Sequence, residues 1–309
     1  MPRWAQVQCG NEWHLLGVCQ NESGINTMKL AIGMPWYDGP DVKTFALYQD
    51  IFMYFGQLRE RTIFRESIGK DKFDELLPSL PDLHPNADAN PTIEDYDRMG
   101  KLDIALIDYS QTSLVGKARD LIVEQALSWD ADYLFMWDAD MKFEYSAFLN
   151  LWRHNVPMVG ALAFTARPPF YPVIMKIIEK AGTNNEPVFT SEIVFDYPKN
   201  KLISNVDVGG AIAFGASVLL LDMNIFKQIP QPWFYSTGCG EDFYFCTRCH
   251  EFGIPRYIDT SVKTSHKRWD VDFVSEAYYE EYIKNNKELY ISSWPNSAKT
   301  FDLEESVVQ

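Results

Sequence analysis

The chain is poor in cysteine, with five in 309 residues, an odd number spread without scaffold density. That excludes a small disulfide-stapled framework, and the thiols are expected to be reduced, as in a cytoplasmic protein. Cations are also scarce. Lys and Arg total 28 against 43 Asp and Glu, a formal net charge of −15 at pH 7. Such a chain repels phosphate backbones, so general nucleic-acid binding is disfavoured, although a local basic site is compatible with it. Long apolar runs are missing too. The longest, Ala211 to Leu221, is half the roughly 20 residues of a membrane span. No membrane span is therefore expected, and the opening residues MPRWAQVQCGNEWH carry no apolar signal segment. Finally, no Gly-x-Gly-x-x-Gly follows the first apolar strand, which removes the dinucleotide fingerprint. Nor is there the glycine-rich basic loop that nucleotidyltransferases usually place there.

What is present points to a globular α/β chain. Hydrophobic residues make up 46%, enough for one large core or two modest ones, and aromatics reach 15%. Aromatics fill cores, and they also form platforms for sugar rings and bases. The most informative stretch is YLFMWDADMKF, Tyr133 to Phe143. Its uncharged run, Tyr133 to Trp137, has the length and aromatic content of a strand buried on both faces. It ends in Asp138-Ala139-Asp140, where open α/β sheets place their ligands. Acids two apart on an extended backbone point to one side and can reach one cation; the plainer alternative is a pair of solvated acids at a strand end.

Residues 1–27 show no periodicity and read as an N-terminal extension packed by Trp4 and Trp13; the spacing of Cys9, His14 and Cys19 fits no zinc pattern. Lys29 to Met34 reads as the first strand, stopped by Pro35-Trp36-Tyr37-Asp38-Gly39-Pro40. Trp36 and Tyr37 either stack on a base or pack as a loop. A helix is expected from Asp41 to about Glu60, with Val42, Phe45, Gln49, Phe52, Phe55 and Arg59 along its inner stripe. Glu66 to Gly100, broken by four prolines, reads as a long irregular loop. Leu102 to Ile107 is a second strand. A helix capped by Thr112 or Ser113 then runs to about Trp129 and buries Leu114, Ala118, Leu121, Ile122 and Ala126. Lys117 and Arg119 lie in its first two turns, where they either face something anionic or sit on a solvated face.

Beyond the Asp-x-Asp strand, Val156 to Phe164, Val173 to Ile178 and Ala211 to Leu221 read as strands. Ile193 to Phe195 and Leu202 to Val206 read as a hairpin around Pro198-Lys199-Asn200. Gly209-Gly210 before the apolar strand suggests close backbone approach to a ligand, or a bulge. A helix then opens at Gly240-Glu241-Asp242 and runs to about Phe252, followed by a strand, Arg256 to Asp259, and a polar loop reaching His266. Within that helix, Cys246-Thr247-Arg248-Cys249-His250 matches the haem-attachment string, and Cys239 could join Cys246 and Cys249 in a zinc site. The reading preferred is cysteines on a buried helix face.

Three features coincide: the apolar strand ending Asp138-Ala139-Asp140, the Gly240-Glu241-Asp242-Phe243 helix start, and the late strand with Asp259 and His266. Their order and spacing, over roughly Lys29 to Trp269, resemble GT-A fold glycosyltransferases, the nucleotide-diphospho-sugar transferases. Pro35-Trp36-Tyr37-Asp38, Lys117-Ala118-Arg119-Asp120 and Pro232-Trp233-Phe234 agree, although many relatives carry Asn where Asp120 stands. The resemblance implies an α/β fold with a Rossmann-like, mostly parallel central sheet and flanking helices in a single domain. It would span residues 28–270, with a C-terminal helical segment and tail at 271–309. It implies a Mn2+ or Mg2+ ion held by Asp138, Asp140 and His266, which neutralises the leaving diphosphate of a nucleotide-diphosphate sugar donor. It places Pro35, Trp36, Tyr37, Asp38, Arg119, Asp138, Gly209 and Gly210 around the donor. It makes Asp242 the base that takes the acceptor hydroxyl's proton, with inversion, and gives Glu241 a grip on acceptor or sugar. The acceptor is open. The alternatives are a viral enzyme glycosylating hydroxymethylated pyrimidines in DNA, which the net charge of −15 disfavours, and a non-catalytic nucleotide-sugar-binding module, which intact acids at both motifs disfavour.

Overall fold

The computed structural model describes residues 19–20, 26–35, 42–109, 114–181, 187–236, 240–268 and 273–294. The chain begins with β1 (Cys19–Gln20), β2 (Asn26–Pro35), α1 (Val42–Ile68), α2 (Lys70–Leu76), α3 (Ile93–Met99), β3 (Lys101–Tyr109) and α4 (Val115–Ser128). It continues through β4 (Tyr133–Trp137), β5 (Met141–Phe143), α5 (Ala147–Arg153), β6 (Met158–Ala161), β7 (Ile174–Ala181), β8 (Pro187–Ile193) and β9 (Leu202–Ile203). Then come β10 (Ile212–Phe214), β11 (Val218–Asp222), α6 (Ile225–Gln228), α7 (Glu241–Glu251), β12 (Tyr257–Asp259), β13 (Thr264–Lys267), β14 (Phe273–Ser275), α8 (Glu276–Asn285) and α9 (Lys287–Ser293).

The central sheet has the order β1-β2-β4-β11-β6-β12-β9, with β3 on β2. Strands β3, β2, β4, β6 and β12 run the same way, and β11 runs against them between β4 and β6. Two small three-stranded sheets, β10-β7-β8 and β14-β13-β5, flank it. This is the α/β architecture expected from the sequence, a mostly parallel layer covered by helices.

Strand β4 explains why the layer has two cores. Its side chains alternate faces. Leu134 and Met136 enter one core with Ile122, Val123 and Ala126 of α4 and Phe243, Phe245, Cys246 and Cys249 of α7. Phe135 and Trp137 enter the other with Tyr48, Ile51, Phe55 and Leu58 of α1 and Phe148, Leu151 and Trp152 of α5. Strand β11 repeats the split, Leu219 and Leu221 against Val218 and Leu220. Each such residue is fully buried and contributes about 1.5–3 kcal/mol. The same alternation carries past Trp137, so Asp138 falls on the α4/α7 side.

Several expectations need correcting. The inner stripe of α1 is Tyr48, Ile51, Tyr54, Phe55, Leu58 and Thr62, turned by about one residue from the expected one; Gln49 is exposed. The helix also runs on to Ile68, and Glu66 to Gly100 is largely ordered as the end of α1, α2 and α3. Phe73, Leu83, Tyr96 and Met99 pin that region to the core, and a Thr92–Asp95 capping box starts α3. The apolar run Ala211 to Leu221 is two strands in two sheets, split at Gly215-Ala216-Ser217. The hairpin around Pro198 does not form: β8 pairs with β7, and β9 pairs with β12. The polar loop reaching His266 is strand β13. Leu114, expected inside α4, is its exposed N-cap; Thr112 and Ser113 lie outside the described residues. Cys246 and Cys249 are buried free thiols, and burial pushes Cys246 up to about 12, far from the thiolate a metal requires. Cys9, His14 and Cys239 lie outside the described residues.

Candidate active site

The carboxyl end of β4 is held by its backbone. The Asp138 amide donates to the Ser217 carbonyl at 3.0 Å, and the Met141 amide closes a turn onto the Asp138 carbonyl at 3.1 Å. The Tyr48 hydroxyl, from α1, donates to that same carbonyl at 3.2 Å. On the other side, the Lys267 amide donates to the Asp140 carbonyl at 2.9 Å, and β13 pairs with β5 so that His266 stands opposite Met141. The turn therefore has fixed supports on both sides, and it directs two carboxylates to two different partners.

Asp138 faces Arg119 of α4, with 2.8 Å between Oδ1 and Nη2. Arg119 also reaches Glu241 at the start of α7, 3.4 Å from Nε to Oε1. Its side chain is only 3% exposed, and its ring neighbour is Phe234, 6.0 Å from guanidinium to centroid. A single buried cation thus joins the Asp-x-Asp strand to the Glu-Asp helix start. Lys117, two residues earlier, is exposed. Burial drives the Asp138 carboxyl above its ordinary range; Arg119 opposes this, and Asp140 adds to it.

Asp140 faces His266, whose Nε2 lies 3.0 Å from Oδ2. The opposite ring nitrogen, Nδ1, is 2.8 Å from the Phe164 carbonyl. A carbonyl can only accept, so Nδ1 carries a proton; the ionised Asp140 carboxylate can only accept as well, so Nε2 carries one too while it faces Asp140, and that is the nitrogen a cation would free. Desolvation would raise Asp140, but the His266 hydrogen bond and charge outweigh it and hold the carboxyl below its usual value. Desolvation likewise opposes the charged imidazole, and Asp140 overcomes it, so His266 is raised.

Asp242 follows Glu241 in the first turn of α7. Burial, then the neighbouring Glu241 charge, push it up to about 6, while Arg119 and the Phe243 amide, 2.7 Å away, pull it down. The helix can start here because Gly240 adopts φ 93°, a conformation open to glycine. Helices α4 and α7 meet closely at Gly116, where an added Cβ would lie 2.5 Å from the Phe234 carbonyl and 3.1 Å from the Glu241 Cβ.

The structure therefore brings Arg119, Asp138, Asp140, Glu241, Asp242 and His266 to one end of the sheet. Pro35 ends β2 at the same end, paired with Tyr109, whereas Trp36, Tyr37 and Asp38 lie outside the described residues. Gly209 and Gly210 lie in the turn before β10: the Gly210 amide donates to the Asn205 carbonyl, and a Cβ added to Gly210 would lie 2.8 Å from the Lys176 side chain of β7. Asp120 accepts from the Trp233 and Phe234 amides at 3.2 and 2.9 Å, a structural clamp on the 232–234 segment. Tyr48, Ser217 and Gly116 were not singled out by the sequence. A tyrosine in an apolar stripe, a serine in a strand break and a helical glycine carry no local signal of function. Among the described residues, no three His, Cys, Asp or Glu side chains form a ready cation cage. Asp140 and His266 converge, while Asp138 is engaged by Arg119. Also among the described residues, no helix is long and apolar enough to cross a membrane.

No protein-family model matches the chain, and no curated protein sequence does. Solved structures are similar in part. The A197 protein from STIV is 12% identical over 77% of this chain and 85% of its own, with a TM-score of 0.40. A GalNAc-T7 structure with UDP, GalNAc and Mn2+ is 9% identical over 84% of this chain and 48% of its own, with a TM-score of 0.42. An apo UDP-glucose pyrophosphorylase is 10% identical over 86% of this chain and 99% of its own, with a TM-score of 0.36. This chain thus spans about half the length of the GalNAc-T7 structure.

Proposed function

We propose that the chain is a glycosyltransferase that moves a sugar from a nucleotide-diphosphate donor to an acceptor hydroxyl, with inversion at the anomeric carbon. The observation that carries this reading is the link through Arg119: one buried guanidinium contacts both Asp138 and Glu241, so the two acidic motifs form a single site. The donor set suits a hard divalent ion in part. Asp140 supplies oxygen and the Nε2 of His266 supplies nitrogen, with its tautomer set by Phe164. Two protein ligands are in keeping with Mn2+ or Mg2+, which keeps waters and takes donor phosphate oxygens. Such an ion, when bound, neutralises the charge that develops on the leaving diphosphate.

Within the chain, Asp140 and His266 would hold such an ion. Arg119 keeps Asp138 ionised and orients Asp138 and Glu241. Asp242 accepts the acceptor's proton as that oxygen attacks the anomeric carbon and the bond to the diphosphate breaks. Its carboxyl, raised to about 6, is largely ionised at neutral pH yet more basic than a solvated aspartate. Pro35 and the adjoining Trp36-Tyr37-Asp38 are assigned to the nucleotide. The fold and acids speak for donor binding, and the acceptor's identity is carried by none of these residues.

The test is a thermal-shift panel of nucleotides and nucleotide-sugars with and without Mn2+, followed by product analysis. A ligand that binds only the folded state raises its midpoint by mass action. A cation-dependent shift with one nucleotide-sugar, and a product of inverted configuration, support the reading. Full turnover in excess chelator removes the metal from it, and a product of retained configuration removes Asp242 as base.

A further inference from the structure

Away from the acidic cluster, a cavity of about 500 Å3 opens between the 86–88 segment, the end of β5, strands β13 and β14 and the start of α8. That is within the usual range for small-ligand sites, roughly 300–1,000 Å3. Phe164 forms part of its wall, and the carbonyl of this residue also accepts from His266 Nδ1. Phe143, also in the wall, lies three residues along the chain from Asp140, about 10 Å in extended backbone. None of Arg119, Asp138, Asp140, Glu241, Asp242 or His266 lines the cavity, so it is a neighbour of the proposed active site.

Its lining is mixed in a specific way. Asp88 and Glu144 lie against each other in its wall, within hydrogen-bond reach; burial first, and then the Asp88 charge, push the Glu144 carboxyl up to about 7, while the Lys263 backbone amide pulls it down. Asp88 is already committed at its back, accepting from the Asn150 amide at 3.0 Å and the Ser146 backbone at 3.4 Å, which fixes it to the start of α5. Lys263 and Glu276, an ion pair at 2.9 Å, close one side. The rest of the wall mixes apolar side chains, Phe143, Leu162, Phe164 and Val262, with the hydroxyls of serines, threonines and Tyr145. Three carboxylates repel a phosphate or sulfate. Lys142 and Lys263 in the same wall oppose a bare cation. A neutral molecule that combines several hydroxyl donors with an apolar ring face meets all of these groups: hydroxyls donate to Asp88 and Glu144, Asn86 and the lysines donate to its oxygens, and C–H faces cover the phenylalanines.

We propose that this cavity is a saccharide-binding site, separate from the Asp138–Asp242 cluster, in which Asp88 and Glu144 receive hydroxyl hydrogen bonds. The proposal stands without the transferase reading, because it needs neither nucleotide nor metal.

The test is calorimetric titration of the full chain, free of nucleotide and metal, with maltotriose, cellotriose and chitotriose in turn. Two variants follow. Glu144→Gln keeps shape and removes the carboxylate, and Ala277→Trp, at an exposed rim position, blocks the mouth. Melting curves of both establish that they fold. The expected result is millimolar or tighter binding of at least one trisaccharide to wild type. Glu144→Gln should weaken it about 10-fold, the worth of one charge-assisted hydrogen bond. Ala277→Trp should abolish it, and Asp140→Ala should leave it unchanged. No binding to wild type at about 10 mM overturns the proposal, as does equal binding to folded Glu144→Gln and Ala277→Trp. Heat from MnCl2 that vanishes in Glu144→Gln and persists in Asp140→Ala would assign the acids to a cation and overturn it as well. A chain that binds trisaccharide but no nucleotide-sugar keeps this site and loses the transferase reading.

Discussion

Replacing Arg119 by Met removes the one cation that, among the described residues, touches both acidic motifs while keeping an unbranched side chain of similar length. Taking one partner from a buried ion pair costs about 3–5 kcal/mol, because the other charge stays behind without compensation. Here the guanidinium is 3% exposed, but Asp138 and Glu241 keep 25% and 14%. Water therefore shares the load, and a loss near 3 kcal/mol is expected. At about 1.5 °C per kcal/mol for a chain of this length, the melting temperature should fall by about 5 °C at pH 8. The loss should depend on pH with a definite sign. Asp138 and Asp242 already sit above the ordinary carboxylate value, chiefly through burial, and Arg119 pulls both down. Without it their folded values rise further. A raised carboxyl means that the folded state holds a proton the unfolded chain has released, so stability falls as pH rises from the unfolded value through the folded one. The deficit of Arg119→Met relative to wild type should be greatest near pH 8 and shrink toward pH 5. Arg119→Lys keeps the charge without the planar fork and should recover part of it. Melting curves of the three proteins at pH 5 and pH 8 decide the matter. A variant within about 2 °C of wild type at pH 8, or a deficit equal at both pH values, refutes the compensation argument.

Asp242→Asn should lower turnover by roughly 100 to 10,000-fold with donor binding intact. It should also melt higher than wild type at pH 8 but not at pH 4, since it removes a carboxylate whose ionisation the site disfavours; the wild-type pH–rate profile should rise through about 6. His266→Ala should weaken Mn2+ binding by roughly 10 to 100-fold in calorimetry, and an unchanged affinity would remove His266 from the metal site. Gly116→Ala forces a methyl group to within 2.5 Å of the Phe234 carbonyl. It should cost about 1–3 kcal/mol in urea unfolding, and a neutral effect would show that α4 and α7 can move apart freely.

The strand positions and the two acidic motifs were legible because they rest on local patterns. YLFMW is uncharged and bounded by acids, and Gly240-Glu241-Asp242 opens a helix by its own chemistry. Errors arose where neighbours decide. The stripe of α1 holds apolar or aromatic residues at Tyr48, Ile51, Phe52 and Phe55, so periodicity alone leaves its phase open by one residue. Prolines at 78, 81, 85 and 91 suggested a loop, yet Phe73 and Tyr96, 5.0 Å apart, fold that stretch onto the core. The run from Ala211 to Leu221 looked continuous because a chain cannot show that its two halves belong to different sheets.

By itself, then, the sequence determined that the protein is an α/β chain, that carboxylates stand at the end of a buried strand and at a helix start, and that its cysteines are not a scaffold. These follow from alternation, helical spacing and composition, which act over a few residues. The tertiary structure alone decided what the charges do. Arg119 is 19 residues from Asp138 and 122 from Glu241 along the chain, and only the packing of α4 on β2 and β3 beside α7, permitted by Gly116, places it between them. The pairing of His266 with Asp140, 126 residues apart, likewise exists only because β13 is zipped to β5. Coulomb energy depends on distance and dielectric, and both are set by packing.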